Sequence, residues 1–334
     1  METRTLGLTE MRLTRIGLGA WAIGGPWQFG WGVQDDNESI KTIRKALDLG
    51  INWIDTAPAY GLGHSEEIVG RAIKSYHGQF YIATKCGTIW DEARQVSHRL
   101  KAKSVRAEVE ASLRRLGIDV IDLYQIHWPI PDEDIEEAWG EIARLAEEGK
   151  IRYAGVSNFS ISQIIRVQSI FPVSSLQPPY SMILRDVENE LLSFCASNNI
   201  GVICYSPMQS GLLTGKYTRE KILTLPLDDW RRSNLHFIDP ELTFNLTLID
   251  GLQSLSIRRN CTIGQLAIDW VLRRPEITAA IVGARRPFQV EEIIQAAELN
   301  LSNDDVREID GLLDQYEVAL LSQKKGVANL SGSR

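Results

Sequence analysis

Cysteine is scarce in this chain: 334 residues contain four, Cys86, Cys195, Cys204 and Cys261. None forms a C-x-x-C pair, and their spacing suggests neither a zinc site nor a disulfide framework. Free thiols in a reducing cytoplasm are the simplest reading. No run of about 18 apolar residues occurs, so no spanning helix is expected. The opening METRTLGLTEMRLTRIG carries charges throughout and lacks the apolar segment of a signal peptide. Basic excess is missing too. A net charge of -7 gives no electrostatic case for nucleic acid or an anionic membrane surface, although a locally basic site can still take a small anion. Nor is there a complete G-x-G-x-x-G. GLGAWAIGG supplies Gly17 and Gly19 but has Ala22 where the third glycine would stand, which lowers the case for a two-domain Rossmann enzyme.

What is present is a 44% hydrophobic chain, enough for a large core, with no low-complexity linker. The first 15 residues, with Gly7 near their middle, suit a short hairpin. After them, eight apolar strand-like runs are each followed by a helical pattern: RIGLG, INWID, FYIATK, IDLYQIH, YAGVSN, SSLQPPY, GVICYSP and TAAIVGARR. Eight strand–helix units predict a (β/α)8 TIM barrel, a single domain over 1–320. The strands are short and mostly apolar, as when both faces are covered. A long loop is expected after strand seven, between Pro207 and Asn260, where lids and binding loops tend to occur. The polar residues 321–334 read as a loosely held tail.

In such a barrel the active site lies at the C-terminal ends of the strands. Strand two ends in Asp55, with Tyr60 in its loop; strand three ends in Lys85 and strand four in His127. Singly, Asp55 could cap a turn, Tyr60 could pack a loop, Lys85 could reach solvent and His127 could be a core histidine. Together on one rim they make a set. A phenol titrates near pH 10, too high for acid–base work near neutrality, and a neighbouring ammonium is expected to lower it. Lys85 can supply that ammonium, Asp55 the counter-charge, and His127 a hydrogen bond to a substrate oxygen. The set suits protonation of a carbonyl oxygen while its carbon is attacked.

Over roughly Arg4 to Tyr316 the chain resembles the aldo-keto reductases, and within them bacterial members related to the potassium-channel β subunits. The segments that carry the likeness are GLGAWAIGG, NWIDTAPAYGLGHSEEIVGRAI, IATKCG, SVRAEVEASLRRLGIDVIDLYQIHWP, GKIRYAGVSNF, YSPMQSGLLTGKY and IVGARRPFQVEE, in that order. The resemblance implies reversible, NADPH-dependent reduction of aldehydes or ketones, with Tyr60 as general acid, Lys85 lowering its pKa, Asp55 pairing with Lys85, and His127 positioning the carbonyl. It also implies a path for NADPH/NADP+. Ser157, Asn158 and Gln177 match the carboxamide site and Tyr205 the aromatic stacked on nicotinamide. Ser206, Met208, Gly211, Leu213 and Lys216 match the loop over the pyrophosphate. Gly283, Arg285, Gln289 and Glu292 match the adenosine end. The arginines of GARR precede a helix N-terminus, a favourable place for phosphate. One departure is Ile293, where the family often has Asn.

The family commonly lines its carbonyl pocket with aromatics, which assigns Trp21, Trp53 and Trp128 to that pocket, with barrel packing the other reading for Trp53. Trp31 and Trp90, in rim loops, could narrow it. His64 and Glu66 form an H-x-E without the cysteine motif of a zinc deaminase, so no metal is expected. Cys86 reads as a small buried residue. Two other functions fit less well: a cofactor-sensing interaction protein like the channel β subunits, and a lyase using Lys85 as Schiff-base nucleophile. The expected partner is a small carbonyl substrate.

Overall fold

The computed structural model describes residues 1–227 and 229–331, with side chains described as far as 323. Eight parallel strands close into a barrel: β3 (Ile16–Gly19), β4 (Trp53–Asp55), β5 (Tyr81–Cys86), β8 (Ile121–Ile126), β9 (Ile151–Ser157), β10 (Ser175–Gln177), β11 (Gly201–Tyr205) and β12 (Ile277–Gly283). They are the eight runs named above, in chain order around the barrel. The register sets Asp55 beside Ala83, Lys85 beside Gln125, and Gln177 beside Ser157.

The N-terminal hairpin, β1 (Thr3–Thr5) and β2 (Arg12–Thr14), closes the bottom. Its Leu6, Met11 and Leu13 join Trp53, Ala83, Leu123, Ile203, Ala279 and Ile281 in one interior cluster. Side chains two apart on a strand share a face. The inward positions one layer above Trp53, Ala83, Leu123 and Ile203 are therefore Asp55, Lys85, Gln125 and Tyr205. The barrel is apolar below and polar at its C-terminal mouth. Trp53 fits only because Gly17 has no side chain: a Cβ there would stand 2.1 Å from the indole. Gly7 turns the hairpin at φ +52, where a Cβ would meet the Asn199 carbonyl at 2.6 Å.

Outside the barrel pack α1 (Asp36–Asp48), α2 (His64–Ile73), α3 (Ala102–Leu116), α4 (Ile135–Glu147), α5 (Ile161–Gln168), α6 (Leu191–Ser197), α9 (Ile263–Leu272) and α10 (Pro287–Ala296). Asp35 caps α1 by accepting from the Glu38 N–H at 2.8 Å, and α9 opens on a Thr262/Gln265 capping box. Such caps fix where each βα loop stops, and so where the strand ends point.

Two features depart from expectation. The gap after β5 holds a rim hairpin, β6 (Thr88–Trp90) and β7 (Val96–His98), which alternates too weakly to be read from sequence. The segment after β11 is not a simple loop. It holds a 3-10 stretch at Gln209–Thr214, α7 (Arg219–Leu223), two more 3-10 turns and the 18-residue α8 (Glu241–Arg258). The last helix, α11, runs from Asn303 to Ser331 and packs on α8. The expected tail boundary at 320 thus falls inside a helix, while 332–334 lie outside the described residues. Among the described residues no helix is long and apolar enough to cross a membrane.

Candidate active site

At the C-terminal mouth of the barrel, a cavity of about 690 Å³ opens over the four residues expected to act together. Asp55, Tyr60 and His127 line it, and Lys85 lies directly behind, fully buried. The Lys85 ammonium uses all three N–H groups: to Asp55 Oδ1 at 2.7 Å, to the Thr56 carbonyl at 2.9 Å and to the Tyr60 hydroxyl oxygen at 3.3 Å. The imidazole of His127 meets the Tyr60 ring edge-on at 5.7 Å. Its backbone N–H is held by the Cys86 carbonyl at 3.0 Å, which ties the end of β8 to that of β5.

Burial dominates the electrostatics. It lowers the Lys85 pKa, and Asp55 opposes it by favouring the ammonium. Burial, then the neighbouring Lys85 charge, pushes His127 well below its ordinary value, so the imidazole is neutral. For Tyr60 the direction corrects the sequence-based expectation. Burial and the Asp55 charge raise the phenol well above 10, and Lys85 does not reverse this. The phenol is therefore held in its protonated form.

The amides beside this set are oriented by what surrounds them. The Gln177 NH2 donates to Asp55 Oδ2 at 2.8 Å and to Gln125 Oε1 at 3.3 Å. A carboxylate can only accept, so Gln177 is left with its carbonyl oxygen as the free group. Asn158, at φ 63, donates to the His127 carbonyl at 3.0 Å and to Ser157 Oγ at 2.9 Å, and accepts from the Tyr205 hydroxyl at 2.8 Å. The next loop is tightly wound: Ser206, Gln209 and Ser210 take φ of 57, 45 and 54, left-handed for non-glycine residues. Such conformations cluster at ligand-contacting loops.

Of the residues expected along a dinucleotide, Ser157, Asn158, Gln177, Tyr205, Ser206, Met208, Gly211, Lys216, Gly283, Arg285 and Gln289 line the cavity. Leu213 does not: it is fully buried in the hydrophobic core. Glu292 is not on the wall either, and its carboxylate pairs with Lys216 at 3.4 Å. Gln289 caps α10 by accepting from the N–H groups of Arg285 and Arg286 at 2.8 and 3.1 Å. Arg285 is committed to the loop after β3, donating to Gln34 Oε1 at 2.7 Å and to the carbonyls of Trp31 at 3.1 Å and Val33 at 2.5 Å. Arg286 remains exposed.

Trp21, Trp31 and Trp128 line the cavity as expected. Trp53 does not; it fills the barrel interior below, its indole N–H donating to the Thr14 carbonyl at 3.0 Å. Trp90 does not either, because β6 directs it toward Arg115, whose guanidinium lies 5.9 Å from its ring. The sequence reading missed Trp27, Phe29, Val96, His98, Ile130 and Tyr217, all on the wall. Trp27 and Phe29 were visible as aromatics of the same loop as Trp31, but the rim hairpin and the inserted segment gave no signal. The roof is braced by Arg231. It is paired with Asp229 at 2.6 Å, and its guanidinium lies 4.4 Å from the Trp31 ring. Trp21 meets Trp31 at 5.8 Å and Trp230 at 5.5 Å.

His64 and Glu66 diverge: His64 pairs with Asp36 at 2.9 Å, while Glu66 accepts from Arg115 at 2.7 Å and Thr84 at 2.6 Å. Cys86 is buried, and burial pushes its thiol well up.

The model of the "Aldo/keto reductase family" matches residues 15–314. The chain is 41% identical to aldo-keto reductase YhdN of Bacillus subtilis, over 94% of each chain. It is 38% identical to the NADH-specific methylglyoxal reductase of Escherichia coli, over 91% of this chain and 96% of that one. Among solved structures, the glycerol dehydrogenase AKR11B4 from Gluconobacter oxydans superposes with a TM-score of 0.85 at 38% identity, covering 94% of this chain and 96% of its own. With a family match over nearly the whole chain, a closed barrel of the same kind and relatives above 30% identity, the protein belongs to the aldo/keto reductase family.

Proposed function

We propose that the protein reduces aldehydes or ketones to alcohols with NADPH, in the cytoplasm, with Tyr60 as the proton donor. The observation that carries this reading is the triple commitment of the Lys85 ammonium to Asp55, Thr56 and Tyr60. Because Lys85 donates to the Tyr60 oxygen, the phenol's own proton must point elsewhere, and the cavity is the open side. Burial and Asp55 keep that proton in place until a carbonyl oxygen develops negative charge. Once it leaves, Lys85 stands ready to hydrogen-bond the phenolate. Neutral His127, beside Tyr60, can donate a ring N–H to the same carbonyl oxygen.

A nicotinamide dinucleotide fits the donor set. The free Gln177 carbonyl can accept from a carboxamide NH2, Tyr205 offers a ring on the cavity wall, and the N-terminus of α10 with exposed Arg286 suits a phosphate. The cofactor would supply the hydride. Preference for NADPH over NADH rests on the paired arginines, and Arg286 is the one whose side chain remains exposed.

The lyase reading is weakened by the same geometry. A Schiff-base lysine needs a free amine facing substrate, and Lys85 is fully buried with every N–H occupied. The reductase reading is tested by following NADPH oxidation with a nitrobenzaldehyde. Tyr60→Phe should lose most turnover yet bind NADPH as before; normal turnover in that variant would sink the assignment.

A further inference from the structure

Gln125 is an odd residue for its place. It sits on β8, fully buried, directly above Leu123 on the inward face and beside Lys85 on the neighbouring strand. Among the described residues its Nε2 has no hydrogen-bond partner, and neither has Ser175 Oγ, also fully buried, on β10. A buried amide with an unpartnered N–H destabilises the fold relative to an apolar side chain of similar size. Where a local rule is broken in this way, a functional reason is the first place to look.

We propose that Gln125 is a positioning residue for the Asp55–Lys85 pair, acting through Gln177; the proposal rests on the reductase reading above. Asp55 Oδ2 accepts only, so it dictates that Gln177 presents its NH2. That NH2 has a second hydrogen, and Gln125 Oε1 receives it at 3.3 Å. Gln125 is then forced to turn its own NH2 away, which accounts for the unpartnered Nε2. Donation diverges from the Gln177 NH2, one hydrogen to Asp55 and one to Gln125, and the acceptor-only carboxylate fixes its direction. Ser175, two residues before Gln177 on β10, is buried beside this set and its Oγ is likewise without a partner among the described residues.

Removing the Gln125 oxygen leaves the Gln177 NH2 held by Asp55 Oδ2 alone. With one anchor instead of two the amide sits less firmly, its bond to Asp55 weakens on average, and the Asp55 charge is less compensated where Tyr60 meets it. The charged and titratable groups around the pair are Tyr60 in the loop after β4, His127 after β8, Glu66 on α2 and Tyr205 on β11, and the substitution alters none of them. The consequence is a further rise in the Tyr60 pKa and a less precise proton transfer.

The experiment uses Gln125→Leu and Gln125→Met, with Gln125→Asn as a third variant that keeps the amide but withdraws it by one methylene. Thermal unfolding, NADPH-dependent reduction of a nitrobenzaldehyde and alcohol oxidation against pH are measured for each. The apolar variants should unfold at or above the wild-type temperature. In all three, kcat should fall by about tenfold or more, with aldehyde KM within about twofold. The pH limb of alcohol oxidation should move up by about half a unit or more. An unmoved limb in the variants that fold overturns the proposal, whatever kcat does, because mere packing would not couple Gln125 to Tyr60. A wild-type enzyme without turnover would instead overturn the reductase reading.

Discussion

Asp55 and Lys85, on adjacent barrel strands, form a 2.7 Å ion pair almost sealed from solvent, with side chains 3% and 0% exposed. Breaking one half of such a pair leaves a buried charge without its partner. Lys85→Met should therefore cost about 3–5 kcal/mol of stability as well as activity. Asp55→Asn combined with Lys85→Met should recover most of that stability and none of the turnover. Urea unfolding of the single and double variants, set beside their NADPH oxidation rates, checks both halves.

Glu108 on α3 accepts from the Gly87 N–H at 2.8 Å and from Ser104 at 3.1 Å, just outside the strand that carries Lys85. Burial pushes its carboxyl from 4.5 up to about 7. Across that window the folded chain holds a proton that the unfolded chain releases. Its contribution to stability is fully present below the unfolded value and is lost as pH rises through about 7. The loss amounts to about 3 kcal/mol in total. Glu108→Gln should remove that slope: its stability relative to wild type should grow between about pH 5 and pH 8, read from urea midpoints.

Arg231 ties the inserted segment to the loop after β3 through Trp31, while Asp229 and Tyr217 hold it from within the segment. Arg231→Ala should loosen the roof without touching the acid–base set. We expect NADPH to dissociate about tenfold faster, on the scale of lost ion-pair and cation–π contacts. Stopped-flow fluorescence of NADPH release measures this directly, and an unchanged off-rate would separate the roof from the cofactor.

Arg285 and Arg286 are adjacent in sequence and differ in structure. Arg285 is fastened to Gln34, Trp31 and Val33, while Arg286 stays exposed beside the α10 N-terminus. Arg286→Ala should weaken NADP+ binding by about tenfold and leave NAD+ binding unchanged. Arg285→Ala should weaken both, because it releases the loop. Tryptophan-fluorescence titrations with the two oxidised dinucleotides give the comparison.

The barrel is legible in the periodicity of the chain. Eight apolar runs alternating with amphipathic helices leave few other ways to bury that much surface, and they place Asp55, Lys85 and His127 at strand ends, with Tyr60 in the loop beyond Asp55. That order is local, because periodicity and caps act within a few residues. The tertiary structure decided which neighbours those groups meet. Trp53 turned down into the barrel because Gly17 left room for its ring, and Trp90 turned out on a rim hairpin. Tyr60 became more firmly protonated instead of less, since desolvation and the Asp55 charge depend on packing in three dimensions. Gln177 and Asp55, 122 residues apart, meet across the barrel mouth. Hydrogen bonds of that range follow from strand register and barrel closure, which no single stretch of the chain contains.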